Sequence, residues 1–181
     1  LGIRDPRIFG EATTSVACDS KKISVWDQNL MAEWHARYKG RGVMVYWHVE
    51  KKALCIYSQL KTCSSSEVGS MLKGILNHCT DMEVDAAYVD THGQSTLAFG
   101  VSDFLGFDLL PRLKNISKQK LYYSTVKDKS KYENLELILK ESIKWKLIEE
   151  NYDEAIKHIV ALKLGIMEPD VFVKRFSHDN F

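Results

Sequence analysis

The sequence predicts a mixed α/β fold: a sheet of about five strands with flanking helices, followed by an all-helical C-terminal segment. Three observations carry this. The first third of the chain holds apolar, β-branched or aromatic runs at 13–23, 43–49 and 53–60. Helix-period and strand-like segments then alternate from residue 64 onward. Beyond residue 133 the apolar residues recur at helical spacing. Size agrees, because 181 residues, 45% hydrophobic and 27% charged, suit one globular domain or one with an appendage. A formal net charge of +1 with this apolar content excludes wholesale disorder. No apolar run is long enough to span a membrane, and no signal sequence opens the chain. The chain begins with Leu1 rather than Met, so it is expected to be a piece of a longer, cytoplasmic protein.

The elements follow in order. Residues 13–23, TTSVACDSKKI, form a first strand through Asp19. In 26–42, Asp27 is placed to cap a short helix with Leu30, Met31, Trp34, His35 and Tyr38 at helical spacing, ended by Gly40 and Gly42. The run 43–49, VMVYWHV, is apolar enough for a central strand covered on both faces, and 53–60 returns beside it as a hairpin. Ser64, Ser65, Ser66 and Glu67 read as an N-cap leading into a helix over 66–79. Residues 86–90 form a strand ending on Asp90, 95–105 a helix, and 107–113 a short strand whose Pro111 argues for a sheet edge. Helices are expected over 133–150, over 152–164 with Gly165 as the stop, and from Pro169 to Arg175. This order matches the ribonuclease-H-like fold, though other mixed folds could give it. It divides the chain into a core at 1–116, a basic linker at 117–132 and a helical segment at 133–181.

Cys18, Cys55, Cys63 and Cys79 form no C-x-x-C pair, which argues for buried free thiols in a reducing compartment. Trp26, Trp34, Trp47 and Trp145 read as core anchors. Charge is segregated: 62–108 carries one basic and seven acidic residues, whereas 109–132 carries seven basic and one acidic. The basic stretch holds Arg112, Lys114, Lys118, Lys120, Lys127, Lys129 and Lys131, interleaved with Tyr122, Tyr123 and Tyr132. Such a stretch either neutralises phosphates and stacks on bases or is a solvated loop.

Asp19 and Asp90 each terminate an apolar strand run, where ligands gather in open α/β sheets. On adjacent strands, two such carboxylates could hold hard divalent ions such as Mg²⁺, and a pair of ions suits phosphoryl transfer. The plainer reading is that each aspartate caps the turn or helix that follows its strand. His92, two residues after Asp90, is either a turn histidine or a phosphate contact. Ser20 has no His–Asp pair to activate it, and no P-loop or dinucleotide glycine signature is present.

The blocks ACDSKK (17–22), WDQNLMAEWHARYKGRGVMVYWHVEKK (26–52), CIYSQLKTCSSSEV (55–68), YVDTHG (88–93) and LLPRLKNI (109–116) resemble the catalytic region of the Tn-three family of replicative transposases, enzymes of class II bacterial transposons. The similarity runs from RIFGE (7–11) to about residue 176. It implies a ribonuclease-H-like core whose two aspartates and one glutamate bind two Mg²⁺ ions. The family aspartates fall on Asp19 and Asp90. The family glutamate lies in a V-E-N-W-N type block, and no such block occurs here; Glu149, Glu150 and Glu154 lack its neighbours. The resemblance therefore implies a fragment of a DNA-cutting and DNA-joining enzyme, inactive by itself, whose two-metal site is incomplete. Its partners would be transposon-end and target DNA, with no membrane and a homodimer in the full-length protein. Lys21, Lys22, His92, Arg112, Lys114, Lys118 and Lys120 are the candidate DNA contacts. The alternative is a non-catalytic DNA-binding or assembly module from a truncated transposase.

Overall fold

The computed structural model describes residues 13–119, 121–125, 131–135 and 138–177. Lys120, Lys127 and Lys129, and the RIFGE block, lie outside the described residues. The chain divides into two units, Leu1–Arg112 with His158–Phe181, and Leu113–Lys157.

The first unit is built on a mixed sheet. Its strands are β1 (Thr13–Ile23), β2 (Glu33–His35), β3 (Gly40–Glu50), β4 (Cys55–Lys61), β5 (Glu83–Val89) and β6 (Asp108–Pro111). β1 pairs antiparallel with β3, from Val16 opposite Glu50 to Ile23 opposite Val43. It pairs parallel with β5, from Thr13 opposite Glu83 to Cys18 opposite Val89. β4 pairs antiparallel with the residues of β3 that also pair with β1, so β1 and β4 occupy the two edges of β3. β6 lies parallel to β5 at the sheet's end, where Pro111 costs no central ladder bond.

Strand alternation fixes the buried face. Val16 and Cys18 on β1, Tyr46 on β3, Ile56 on β4 and Ala87 and Val89 on β5 are buried. Helices α1 (Glu67–Asn77) and α2 (Thr96–Leu105) supply Met71, Leu72, Ala98 and Val101 to the same core. Ser66 caps α1, its Oγ accepting from Gly69 N at 3.4 Å, and Glu67 suits the positive helix N-terminus. Ser95 caps α2 in the same way at 3.0 Å, and Gly106 ends it at φ 85°, a left-handed conformation that favours glycine. The last helix, α4 (Pro169–Ser177), packs against α1.

Two glycines in α1 allow close approach. A Cβ on Gly74 would lie 1.9 Å from His48 Cε1, and one on Gly69 would lie 2.3 Å from Asp170 Oδ1. The fully buried His48 ring therefore seats against the helix backbone, with Nε2 3.0 Å from the Met71 carbonyl oxygen. Burial lowers its pKa to about 4.

Several expectations are corrected. Residues 26–42 form no helix. Asn29 Oδ1 accepts from Met31 N at 2.9 Å, competing with helical bonding, and Glu33–His35 zip onto Gly40–Gly42 as β2. β3 is not covered on both faces: Val45, Trp47 and Val49 are half-buried, and the neighbouring Tyr88, Leu60 and Leu110 on that side are exposed. The tryptophans are not core anchors, for Trp26, Trp34 and Trp145 are exposed and Trp47 is half-buried. Only Cys18 of the four free cysteines is buried, and burial pushes its thiol up to about 12.

The second unit is not all-helical. β7 (Leu121–Tyr123) pairs parallel with β8 (Leu139–Ser142), burying Tyr123 and Leu139. That ladder satisfies backbone groups that a helix over 133–150 would have used. Helix α3 runs unbroken over Trp145–Lys163, so the separate helices expected on either side of residue 151 are one. Its residues from His158 belong to the first unit.

Two outcomes follow. Gly74→Ala drives a methyl into the His48 ring, and overpacking of this kind costs about 1–3 kcal/mol in urea denaturation. A loss of a few tenths would mean the ring moves aside freely. The second concerns pH. An unfolded histidine protonates near 6.5, whereas folded His48 does so only near 4. The unfolded chain binds more protons between those values, so stability falls as pH drops through that window, by about 3 kcal/mol at most. Urea midpoints from pH 7 to 4 should show this acid loss shrinking in His48→Leu; an unchanged loss would assign it to other groups.

Candidate functional site

The pairing of β1 with β5 ends at Cys18 opposite Val89, so Asp19 and Asp90 follow as the next residue on neighbouring strands. Beyond that point β1 continues to Ile23, paired only with β3. The gap left at the end of β5 is part of a cleft of about 550 Å³. Asp19, Asp90 and Glu67 give it three carboxylates; His35, Arg37, Lys61 and His92 give it basic side chains; Ser20, Ser65 and Tyr38 add hydroxyls.

Only Asp90 caps a turn: its Oδ1 accepts from His92 N at 2.8 Å just past β5. Asp19 lies within β1, where its Oδ1 accepts from Ser20 N at 2.7 Å, so no turn or helix follows it to be capped. Each bond uses one oxygen, and the second makes no hydrogen bond with the described residues. The two bonds thus orient the carboxylates without consuming them. An exposed and a half-buried carboxylate with unused oxygens match the oxygen preference of a hard divalent cation. The match stops at two ligands: among the described residues no three His, Cys, Asp or Glu side chains are grouped to hold a metal ion.

Glu67, read in the sequence only as part of an N-cap, enters the cleft from the first turn of α1. Its Oε1 accepts from Ser20 Oγ at 2.7 Å, linking α1 to the residue after Asp19. Burial raises the pKa of Tyr46 beneath the cleft, and Glu67, Asp90 and Asp19 add to that shift, so the phenol stays neutral. Lys61, at the end of β4, is 6% exposed. Sequence reading missed it because hydropathy places Leu60 inward and Lys61 outward; the pairing of Lys61 with Met44 does the reverse.

The segment between β1 and β3 brings His35, Arg37 and Tyr38 to the cleft. Arg37 Cζ and Lys22 Nζ lie 5.6 and 5.9 Å from the Tyr38 ring centroid. Glu33 ties this segment to the approach to α1, its Oε2 accepting from Ser64 N at 2.8 Å, and that bonding holds the Glu33 carboxyl below the usual range.

The other candidates are dispersed. Lys21 and Lys22 continue along β1 without lining the cleft, and exposed His92 lines it. Arg112 follows β6, its N–H donating to the Val89 carbonyl oxygen at 3.0 Å, next to Asp90 in the chain. Lys114 and Lys118 are exposed residues of the second unit.

A family model described as the Tn3 transposase DDE domain matches residues 2–181. The chain is 28% identical over 173 residues to the transposase for transposon Tn1546 of Enterococcus faecium, covering 95% of this chain and 17% of that protein. It is 25% identical over 181 residues to the transposase for transposon Tn2501 of Escherichia coli, covering 93% and 17%. The transposase for insertion sequence element IS1071 in transposon Tn5271 of Comamonas testosteroni is 29% identical over 93 residues. The chain thus spans about a sixth of the length of these first two relatives. No solved structure matches it.

Proposed function

The chain belongs to the Tn3 transposase DDE domain family, and on that premise we propose that its cleft is part of the catalytic site of a DNA transposase. The observation that carries this is the placement of Asp19 and Asp90 as the next residues on two paired strands, inside the family match. The order β4-β3-β1-β5-β6, three antiparallel strands followed by two parallel ones, supports a ribonuclease-H-like core. The substrate is a phosphodiester at a transposon end, and the 3′-hydroxyl released by its hydrolysis attacks target DNA.

Asp19 and Asp90 would hold Mg²⁺ through the oxygens that their backbone hydrogen bonds leave unused. When bound, the ion supplies Lewis-acid charge stabilisation for in-line displacement at phosphorus. The chain's own residues position and exclude. The Ser20 and His92 amides fix the two carboxylates, and Ser20 Oγ holds Glu67 at the cleft wall. His92 lines the cleft, and Lys21, Lys22 and Arg112 lie beyond it in the chain as further groups able to meet phosphates. No serine or cysteine nucleophile is needed, because water and the 3′-hydroxyl are the attacking groups.

The setting is cytoplasmic, the partner is DNA, and the full-length protein acts as a homodimer. Among the described residues no helix is long and apolar enough to cross a membrane.

Without the family glutamate, Asp19 and Asp90 would share one ion, and the second would keep only Asp19 as a protein ligand. Losing its share of transition-state stabilisation costs about a thousandfold or more in rate. A labelled transposon-end duplex incubated with this chain and Mg²⁺ or Mn²⁺ should stay intact. The full-length transposase should cut it, and Asp19→Asn or Asp90→Asn should abolish cutting while leaving DNA binding. Cutting that survives both substitutions would leave the chain a non-catalytic DNA-binding or assembly module. Cutting by this chain that is lost in Glu67→Gln would make Glu67 the third carboxylate.

The basic stretch is tested by salt. Each phosphate contact contributes a slope of about −0.9 in log affinity against log salt on duplex DNA. Replacing Arg112, Lys114, Lys118 and Lys120 by Ala should flatten the slope measured by anisotropy. An unchanged slope would leave the stretch a solvated loop.

A further inference from the structure

Lys61 stands out among the cleft residues. It is 6% exposed, yet its ammonium makes no ion pair or hydrogen bond with the described residues. The ammonium reaches the open cleft rather than a closed cavity. Its near neighbour is the Tyr46 ring, 5.5 Å from Nζ to the centroid. A lysine whose stem is buried and whose ammonium has no partner is costly, and structures retain one where something else supplies the counter-charge.

Glu67, in the same cleft, accepts through Oε1 from Ser20 Oγ at 2.7 Å. Burial lowers the Lys61 pKa, and Glu67 and Asp170 act against that shift through space without closing an ion pair. What remains is a compact cation with three unused donors, on the wall of a cleft that also holds Asp19 and Asp90. A phosphate oxygen fits it: an acceptor-only, charged group small enough to enter a cleft of about 550 Å³.

We propose that Lys61 is a phosphate-binding residue of this cleft, its ammonium taking a non-bridging oxygen of the DNA backbone and holding that phosphate beside Asp19 and Asp90. This rests on reading the cleft as a DNA-processing site. It gives Lys61 a task distinct from the exposed cations, which meet the strand outside the cleft and are screened by salt. A lysine buried to this degree is screened far less.

The test compares the wild-type chain with Lys61→Met and Lys61→Gln, all without metal. The probes are a short single-stranded oligonucleotide, followed by anisotropy, and inorganic pyrophosphate, followed by its shift of the melting temperature. Methionine fills similar volume without the buried charge, so unliganded Lys61→Met should melt at or above the wild-type temperature. Both probes should bind about tenfold more weakly, the scale of one charge-assisted hydrogen bond. Affinities are read well below every melting temperature, so the binding ratio decides irrespective of stability, and Lys61→Gln carries the test should Lys61→Met fail to fold. Unchanged affinity for both probes would overturn the proposal. If the oligonucleotide binds wild type and variants alike, Lys61 is dismissed while the DNA reading survives. If pyrophosphate binding depends on Lys61 but no DNA binds, Lys61 remains an anion ligand and the DNA reading falls.

Discussion

The structure hangs on β1 being shared by two neighbours of different length. On one edge β3 follows it to Ile23; on the other β5 stops at Val89, opposite Cys18. A strand that is paired on both sides buries its backbone groups completely. One that loses a neighbour partway leaves a step, and here the step falls at Asp19. In open sheets, ligands collect where strand ends leave such a crevice. The cleft follows from the register of three strands.

The helix above that step is placed by what it lacks. Gly74 lets the His48 ring lie against α1, and Gly69 lets Asp170 of α4 approach it from another side. Side chains at either position would push the helix off the sheet. Seated as it is, α1 carries Glu67 to the Ser20 hydroxyl and completes one wall of the cleft. The arrangement costs unsatisfied polar atoms: His48 Nδ1 and Asp170 Oδ1 are buried with no hydrogen-bond partner among the described residues. Such groups weigh against stability.

Local chemistry made much of the first unit readable from sequence. The strands at 13–23 and 43–49, the helix behind Ser66 and the Pro111 edge rest on alternation, capping and proline's missing donor, which act over a few residues. The segment at 26–42 was misread because its apolar spacing fits a helix equally well; Asn29 bonding and the ladder to Gly40–Gly42 decided otherwise. The 133–150 stretch failed for the same kind of reason, since pairing with Leu121–Tyr123 is not visible in its own pattern. The strand-end aspartates could be found because aspartate at the end of an apolar run is conspicuous. Lys61 and Glu67 could not, because the inward turn of a lysine and the reach of a helix-start glutamate depend on register across the sheet.

Charge at the cleft explains why these residues coexist. Carboxylates alone would repel a nucleic acid and one another; cations alone would need only a surface. Here Asp19 and Asp90 keep one oxygen each unused, and Lys61 keeps its ammonium unpaired, in one cleft. Pairing the opposite charges directly would remove both needs, and Lys61 forms no such pair among the described residues. On the proposed reading the occupant brings both signs: a phosphodiester oxygen would meet the lysine, and a divalent cation the carboxylates. The same separation of charges costs stability, which is the usual relation between a charged site and the fold that holds it open.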